Sequence, residues 1–535
     1  MQKLVATSLA SVLVAGQLLT PVAARAASSD FPTSTPIKHL VVIFQENVSF
    51  DHYFGTYPNA ANPAGEPAFT PLPNTPSVNG LGYGLLLRNP NLNTVNGTGA
   101  SNPFRLDRSQ AATSDQDHDY TAEQQAFDAG LMDAFPAYTG TAGPPPAGIT
   151  NTSVVMGYYD GNTVTAYWNY AQHFAMNDNS FGTNFGPSTD GAINLISGQT
   201  NGVIDVNGAE ASTVDDGGGG LTLVSDADPG GDVCSSATNL LMAGKNIGDL
   251  LNAKGISWGF FEGGFDLTVT NPNGSTGCKR SHTSAVTGVL KADYIPHHEP
   301  FQYYAGTANP THARPTSVAT VGLTDAANHQ YDTHDFFDAV TAGNFPAVSF
   351  LKAPGYQDGH AGYSDPLDEQ TWVVNTINFL EKQPEWSSTA VIIAYDDSDG
   401  WYDHQMGPIL SSSVSPQDAL TGPGVCGTGT NALPGINPAV TPHAQGRCGY
   451  GPRLPFLVIS PYAKQNFVDH NVTDQTSVLR FIEGNWLASQ RVNPGSFDYY
   501  AGNITNMLDF TAPPAPVVIL DPTTGEVVSS SATRR

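Results

Sequence analysis

The fifteen residues from Ala390 to His404, AVIIAYDDSDGWYDH, constrain the fold most, because an unbroken apolar run passes there directly into a cluster of acids and a histidine. Ala390 to Tyr395 lacks polar alternation, the pattern of a strand covered on both faces of a parallel sheet. Asp396, Asp397, Asp399, Asp403 and His404 follow at its carboxyl end, where open α/β sheets bind their ligands. Adjacent carboxylates repel unless a cation or a shared proton relieves them, so the motif points to a metal. Its plain alternative is a turn rich in Asx-type hydrogen bonds.

Ile37 to Phe44, IKHLVVIF, has the same construction and runs into Gln45, Glu46 and Asn47. Glu46, Asn47, Asp396 and Asp397 would together offer hard oxygen ligands to a divalent ion such as Mg, Ca or Mn, with Zn also tolerable. Between these strands, Phe345 to Leu351 reads as another strand. A helix opened by Pro366 and carrying Val373, Ile377 and Leu380 leads from it to Ala390, a βαβ crossover. Leu454 to Ile459 is a further buried strand and Asp474 to Leu487 a last helix.

Residues 1–26 read as a secretory signal, with Lys3, the apolar Leu9 to Leu19 and the small-x-small site Ala24-Arg25-Ala26. No other stretch is apolar enough to span a membrane, so the expected location is secreted or periplasmic. Cys234, Cys278, Cys426 and Cys448 lack zinc spacing and favour disulfides in such a compartment. Of the three pairings, Cys234 with Cys278 and Cys426 with Cys448 is expected. The formal charge of −27 makes nucleic acid and anionic membranes poor partners for the chain as a whole.

One catalytic domain over about residues 30–510 is expected, with excursions at about 56–112 and 200–330 and a loose tail at 511–535. Within it, Gly186-Pro187 leads to Ser188-Thr189 at the start of a helical pattern. A hydroxyl there meets free N–H groups and a dipole that favour phosphate; the plain alternative is a simple N-cap. His118 precedes a helix expected from Thr121 to Phe135. His297 and His298 lie on a segment read as extended, where neighbours face opposite ways. No Walker loop, dinucleotide fingerprint or G-x-S-x-G elbow is present.

Taken together, Glu46-Asn47-x-Ser49-Phe50-Asp51, Gly186-Pro187-Ser188, His297-His298-Glu299-Pro300-Phe301, Gly359-His360-Ala361-Gly362-Tyr363 and Asp396-Asp397-Ser398-Asp399-Gly400 resemble the bacterial phosphoesterase family of acid phosphatase A and the phospholipases C, from about Ile37 to Leu487. The resemblance implies an α/β fold like that of alkaline phosphatase, a central mostly parallel sheet sandwiched by helices, with long loop insertions. It implies metal ligands Glu46, Asn47, Asp396 and Asp397, the nucleophile Ser188, and a phosphate site lined by His118, His298 and His360; His297 is a weaker candidate. Ser188 is followed by Thr189-Asp190-Gly191-Ala192, which disfavours a sulfatase, whose signature carries Pro and Arg there. Phospholipases C of the family usually have Thr followed by x-Pro-Asn, and several carry extra carboxyl-terminal domains. The expected activity is therefore an acid phosphatase acting on phosphomonoesters. Phospholipid headgroup cleavage is the alternative, and an inactive metal-binding surface protein a second.

Overall fold

Eight strands make the central sheet: β1 (His39–Gln45), β2 (Ala175–Asn177), β3 (Trp258–Glu262), β4 (Gln330–Asp332), β5 (Val348–Lys352), β6 (Thr389–Tyr395), β7 (Phe456–Ile459) and β8 (Phe467–Asp469). The computed structural model describes residues 32–140, 153–428, 431–435 and 445–531; the expected signal at 1–26 lies outside them. The strand order is β4-β3-β5-β1-β6-β7-β2-β8. Only β7 runs against its neighbours; the other pairings are parallel. Every residue of β1, β3, β5 and β6 is buried, which requires cover on both faces and explains the apolar runs of β1 and β6.

Three helices matter for the site: α1 (Tyr120–Phe127), α2 (Ser188–Ser197) and α3 (Pro366–Leu380). The crossover helix α3 starts where Asp365 accepts the N–H groups of Leu367 and Asp368, with Pro366 in its first turn. It returns the chain to β6 beside β1. Register then fixes the chemistry. Gln45 pairs with Tyr395 across β1 and β6, and Ile43 with Leu351 across β1 and β5. The three strands therefore end at nearly one level, delivering Lys352, Glu46-Asn47 and Asp396-Asp397 side by side.

Several expectations are corrected. Within the span 200–330, the strand expected at Ile256 to Phe261 forms as β3, and it joins the central sheet between β4 and β5 rather than belonging to an excursion. The helix after His118 stops at Phe127, since Asp128 turns left-handed at φ 41°. His297 and His298 sit in a 3-10 turn, Pro296–His298, with their rings edge to face. The tail is ordered through Ser531: Val517–Leu520 pairs with Val527–Ser531, burying Val518 and Leu520 in the main core. Both disulfides, Cys234–Cys278 and Cys426–Cys448, are paired as expected.

Candidate functional site

Ser188 is the first residue of α2, and its hydroxyl is turned away from its own helix. Pro187 is the N-cap and supplies no side-chain cap. Asp226 takes that role instead, accepting the Thr189 N–H at 3.0 Å and the Thr189 hydroxyl at 2.8 Å. Ser188 Oγ is left facing the strand ends, 3.0 Å from Glu46 Oε2 and 3.1 Å from Asp397 Oδ2. Asn47 Nδ2 donates to the same oxygen at 3.4 Å. Thr189, chemically equivalent in sequence, is thus tied to Asp226.

Two contacts place this first turn. Gly186 adopts φ +113°, a conformation that favours glycine. Its N–H donates to Glu123 Oε2 of α1 at 2.9 Å, while Ser398 donates to Glu123 Oε1 at 2.6 Å. One buried carboxyl therefore joins the turn before the serine to the Asp396–Gly400 loop. Burial lifts the Glu123 pKa to about 8, although both hydrogen bonds oppose that shift. Gly191 meets the Asp396 backbone so closely that no side chain fits between them.

The carboxylates are wholly buried and unequal. Burial alone would raise Glu46, but the Lys352 ammonium paired with it holds its pKa well below the ordinary value. Lys352 Nζ pairs with Glu46 Oε1 and lies 3.5 Å from Asp396 Oδ2. Asp396 is nevertheless held well above its ordinary pKa, by burial first and then by the Glu46 charge. Burial and Glu46 likewise lift Asp397 to about 7, against the pull of His118.

This donor set fits a hard divalent cation. Asn47 Oδ1 is buried without a hydrogen-bond partner, in a cluster where Glu46 Oε2, Asp397 Oδ2 and Ser188 Oγ already converge. A neutral carbonyl, carboxylates and a hydroxyl are the ligand chemistry such ions take, and a bound cation would relieve the raised carboxyls. Asp396 stands differently from the expected set: its Oδ1 accepts the Asp397 N–H at 2.8 Å and its Oδ2 faces Lys352. Two further groups bring candidate ligand atoms within 4.8 Å of one another: Glu46, His298 and Asp358, and Asp115, His118, His360 and Asp399.

The histidines divide by charge. His118 lies 3.2 Å from Asp399 Oδ1; burial would discharge it, but Asp397 and Asp399 hold its pKa well above the ordinary value. His298 Nε2 is 3.3 Å from Glu46 Oε1, yet burial, with Lys352 and His297 assisting, pushes its pKa well below. His360 stands near His118, its Nδ1–H on the Ala361 carbonyl at 2.6 Å, and burial lowers its pKa as well. Of the three histidines expected to line the phosphate site, only His118 is held toward its protonated form. His297 turns to Asp228 at 3.4 Å instead.

Sequence reasoning did not single out Lys352, Glu123, Asp226 or Asp358. Lys352 had a readable signal, a lone cation closing a buried strand. The other three meet the site only through tertiary contacts.

The Phosphoesterase family model matches residues 37–488. The chain is 25% identical over 486 residues to the non-hemolytic phospholipase C of Pseudomonas aeruginosa, covering 89% of this chain and 58% of that protein. It is 24% identical over 490 residues to phospholipase C A of Mycobacterium tuberculosis, covering 90% and 78%. It therefore spans less than two thirds of the first relative's length. Among solved structures, murine ectonucleotide pyrophosphatase/phosphodiesterase 5 aligns over 65% of this chain and 95% of its own at 12% identity, with a TM-score of 0.30, a likeness too slight to argue from.

Proposed function

The chain belongs to the Phosphoesterase family, and we propose that it is an exported, metal-dependent hydrolase of phosphoric esters, a phosphomonoesterase that works through a phosphoserine on Ser188. The observation that carries this reading is the Ser188 hydroxyl set between Glu46 Oε2 and Asp397 Oδ2, while Thr189 is tied to Asp226.

In the first step Ser188 Oγ forms a bond to phosphorus as the ester P–O bond breaks. Its proton leaves toward Asp397, the carboxylate within hydrogen-bond reach whose pKa is lifted to about 7. His118, kept protonated by Asp397 and Asp399, supplies positive charge beside the transferring group. The leaving oxygen takes a proton from this cluster or from water. Water then attacks phosphorus, the Oγ–P bond breaks, and Ser188 recovers its proton. Glu46, Asn47, Asp397 and Ser188, with Asp396 behind them, would hold the divalent ion. When bound, that ion supplies Lewis-acid stabilisation of charge on oxygen.

A second reading, cleavage of phospholipid headgroups, is favoured by the names of the two relatives. Initial rates on p-nitrophenyl phosphate and p-nitrophenyl phosphorylcholine separate the two. The proposal expects the larger kcat/KM on the phosphomonoester; a preference for the choline ester would replace it with the second reading. Both disulfides suit an oxidising compartment, in keeping with export. No helix among the described residues is long and apolar enough to cross a membrane.

A further inference from the structure

Above the histidine side of the site, a hairpin formed by Ser281–Thr283 and Leu290–Ala292 lies against the His360 loop. The hairpin is firmly held. Arg280 at its base is buried, 3.2 Å from Asp293 and 2.7 Å from Asp332. Asp293 in turn accepts the Gly355 N–H through its carbonyl at 2.9 Å. Near its tip, Thr287 Oγ1 donates to the Tyr363 carbonyl at 3.2 Å.

This anchorage positions one cation. Lys291 Nζ stands 3.6 Å from the centroid of the Tyr363 ring, within cation–π range. Tyr363 belongs to the site wall: its ring stacks on His360 and its hydroxyl donates to Asp358 Oδ2 at 3.0 Å. Among the described residues no carboxylate forms a close ion pair with Lys291. Burial lowers the Lys291 pKa, and the charges of Asp358, Glu46, Asp115 and Asp226, from four separate segments around Ser188, oppose that shift. The ring beneath the cation stacks on His360, which in turn faces His118, so Lys291 caps the histidine wall of the cleft.

We infer that Lys291 is a specificity-determining residue, which occupies the cation-binding face of Tyr363 and so selects phosphate esters with no positively charged headgroup. The inference deepens the phosphomonoesterase reading and rests on it. An aromatic face in the wall of a phosphate site is where a quaternary ammonium such as choline would settle. Here an ammonium of the protein already covers it. The same charge attracts the second negative charge of a phosphomonoester, which a choline ester lacks, and repels the choline cation.

The test compares kcat/KM on p-nitrophenyl phosphate and p-nitrophenyl phosphorylcholine for wild type, Lys291→Met, Lys291→Arg and Lys291→Met/Tyr363→Leu. Lys291→Met should shift the ratio of the two about tenfold or more toward the choline ester, mostly through KM. Lys291→Arg should keep the wild-type ratio, since the cation stays on the ring. Adding Tyr363→Leu should erase the gain on the choline ester. A ratio unchanged within about twofold in Lys291→Met, at a thermal midpoint near wild type, would overturn the inference. If that variant does not fold, Lys291→Gln is measured in its place against the same criterion. A wild type that prefers the choline ester would overturn the phosphomonoesterase reading, whereas the shift between wild type and variant tests Lys291 separately.

Discussion

Gly191 and the carbonyl of Asp396 are packed so closely that a Cβ on residue 191 would overlap the carbonyl oxygen. The first turn of α2 can lie on the end of β6 only because that side chain is missing, and Ser188 is carried by the same turn. Gly191→Ala should therefore push Ser188 away from Glu46 and Asp397. We expect kcat to fall on the order of 100-fold, the sensitivity of in-line reactions to small displacements. Steady-state kinetics beside a thermal melt checks this; unchanged kcat would contradict it.

Lys352 is almost wholly buried between Glu46 and Asp396. Removing one member of a buried ionic cluster leaves the others uncompensated, which typically destabilises by about 3 to 5 kcal/mol. Lys352→Met should lose stability of that order in chelator-treated protein. Added divalent cation should restore part of it by neutralising the same carboxylates. Urea unfolding with and without metal measures both. A variant as stable as wild type in chelator would show that Lys352 does not balance this cluster.

Glu369, on α3, receives the Tyr53 and Tyr395 hydroxyl hydrogens, each at 2.8 Å. Burial raises its pKa to about 8 from an ordinary 4.5, although the tyrosine hydrogen bonds oppose the shift. Between those values the folded state holds a proton that the unfolded chain has released. The associated stability is fully present below about 4.5 and is lost as pH rises toward about 8. Glu369→Gln should remove this slope, so that the variant gains on wild type as pH rises from 5 to 8 by up to about 1.4 kcal/mol per unit. Urea midpoints across that range provide the comparison, and parallel curves would refute the assignment.

What could be read from the sequence follows from what strands encode locally. The unbroken apolar runs of β1 and β6 imply two-sided burial, and the acids after each run imply a ligand site at the carboxyl ends. The parallel, level register that sets Glu46 beside Asp396 was implied only by the crossover. By contrast, Ile256 to Phe261 reads as a strand, but its place in the central sheet as β3 is settled by distant pairing with β4 and β5, which local pattern does not reveal. The ordered tail was missed for a related reason: Val518 gains its burial from α3, and its N–H goes to Glu381 at 3.1 Å, neither of which local pattern reveals. Charge states were least legible. His118, His298 and His360 look equivalent in sequence, and only their neighbours separate the protonated one from the neutral pair.

The central claim is that Ser188, and not Thr189, carries the phosphoryl group. Acid-quenched enzyme labelled with a phosphomonoester, digested and mapped by peptide mass spectrometry, addresses it directly. The account predicts phosphate on Ser188, no phosphoenzyme in Ser188→Ala with rates down on the order of 10³-fold or more, and a Thr189→Ala variant that still labels. Phosphate on Thr189, or a Ser188→Ala enzyme within about tenfold of wild type, would contradict it.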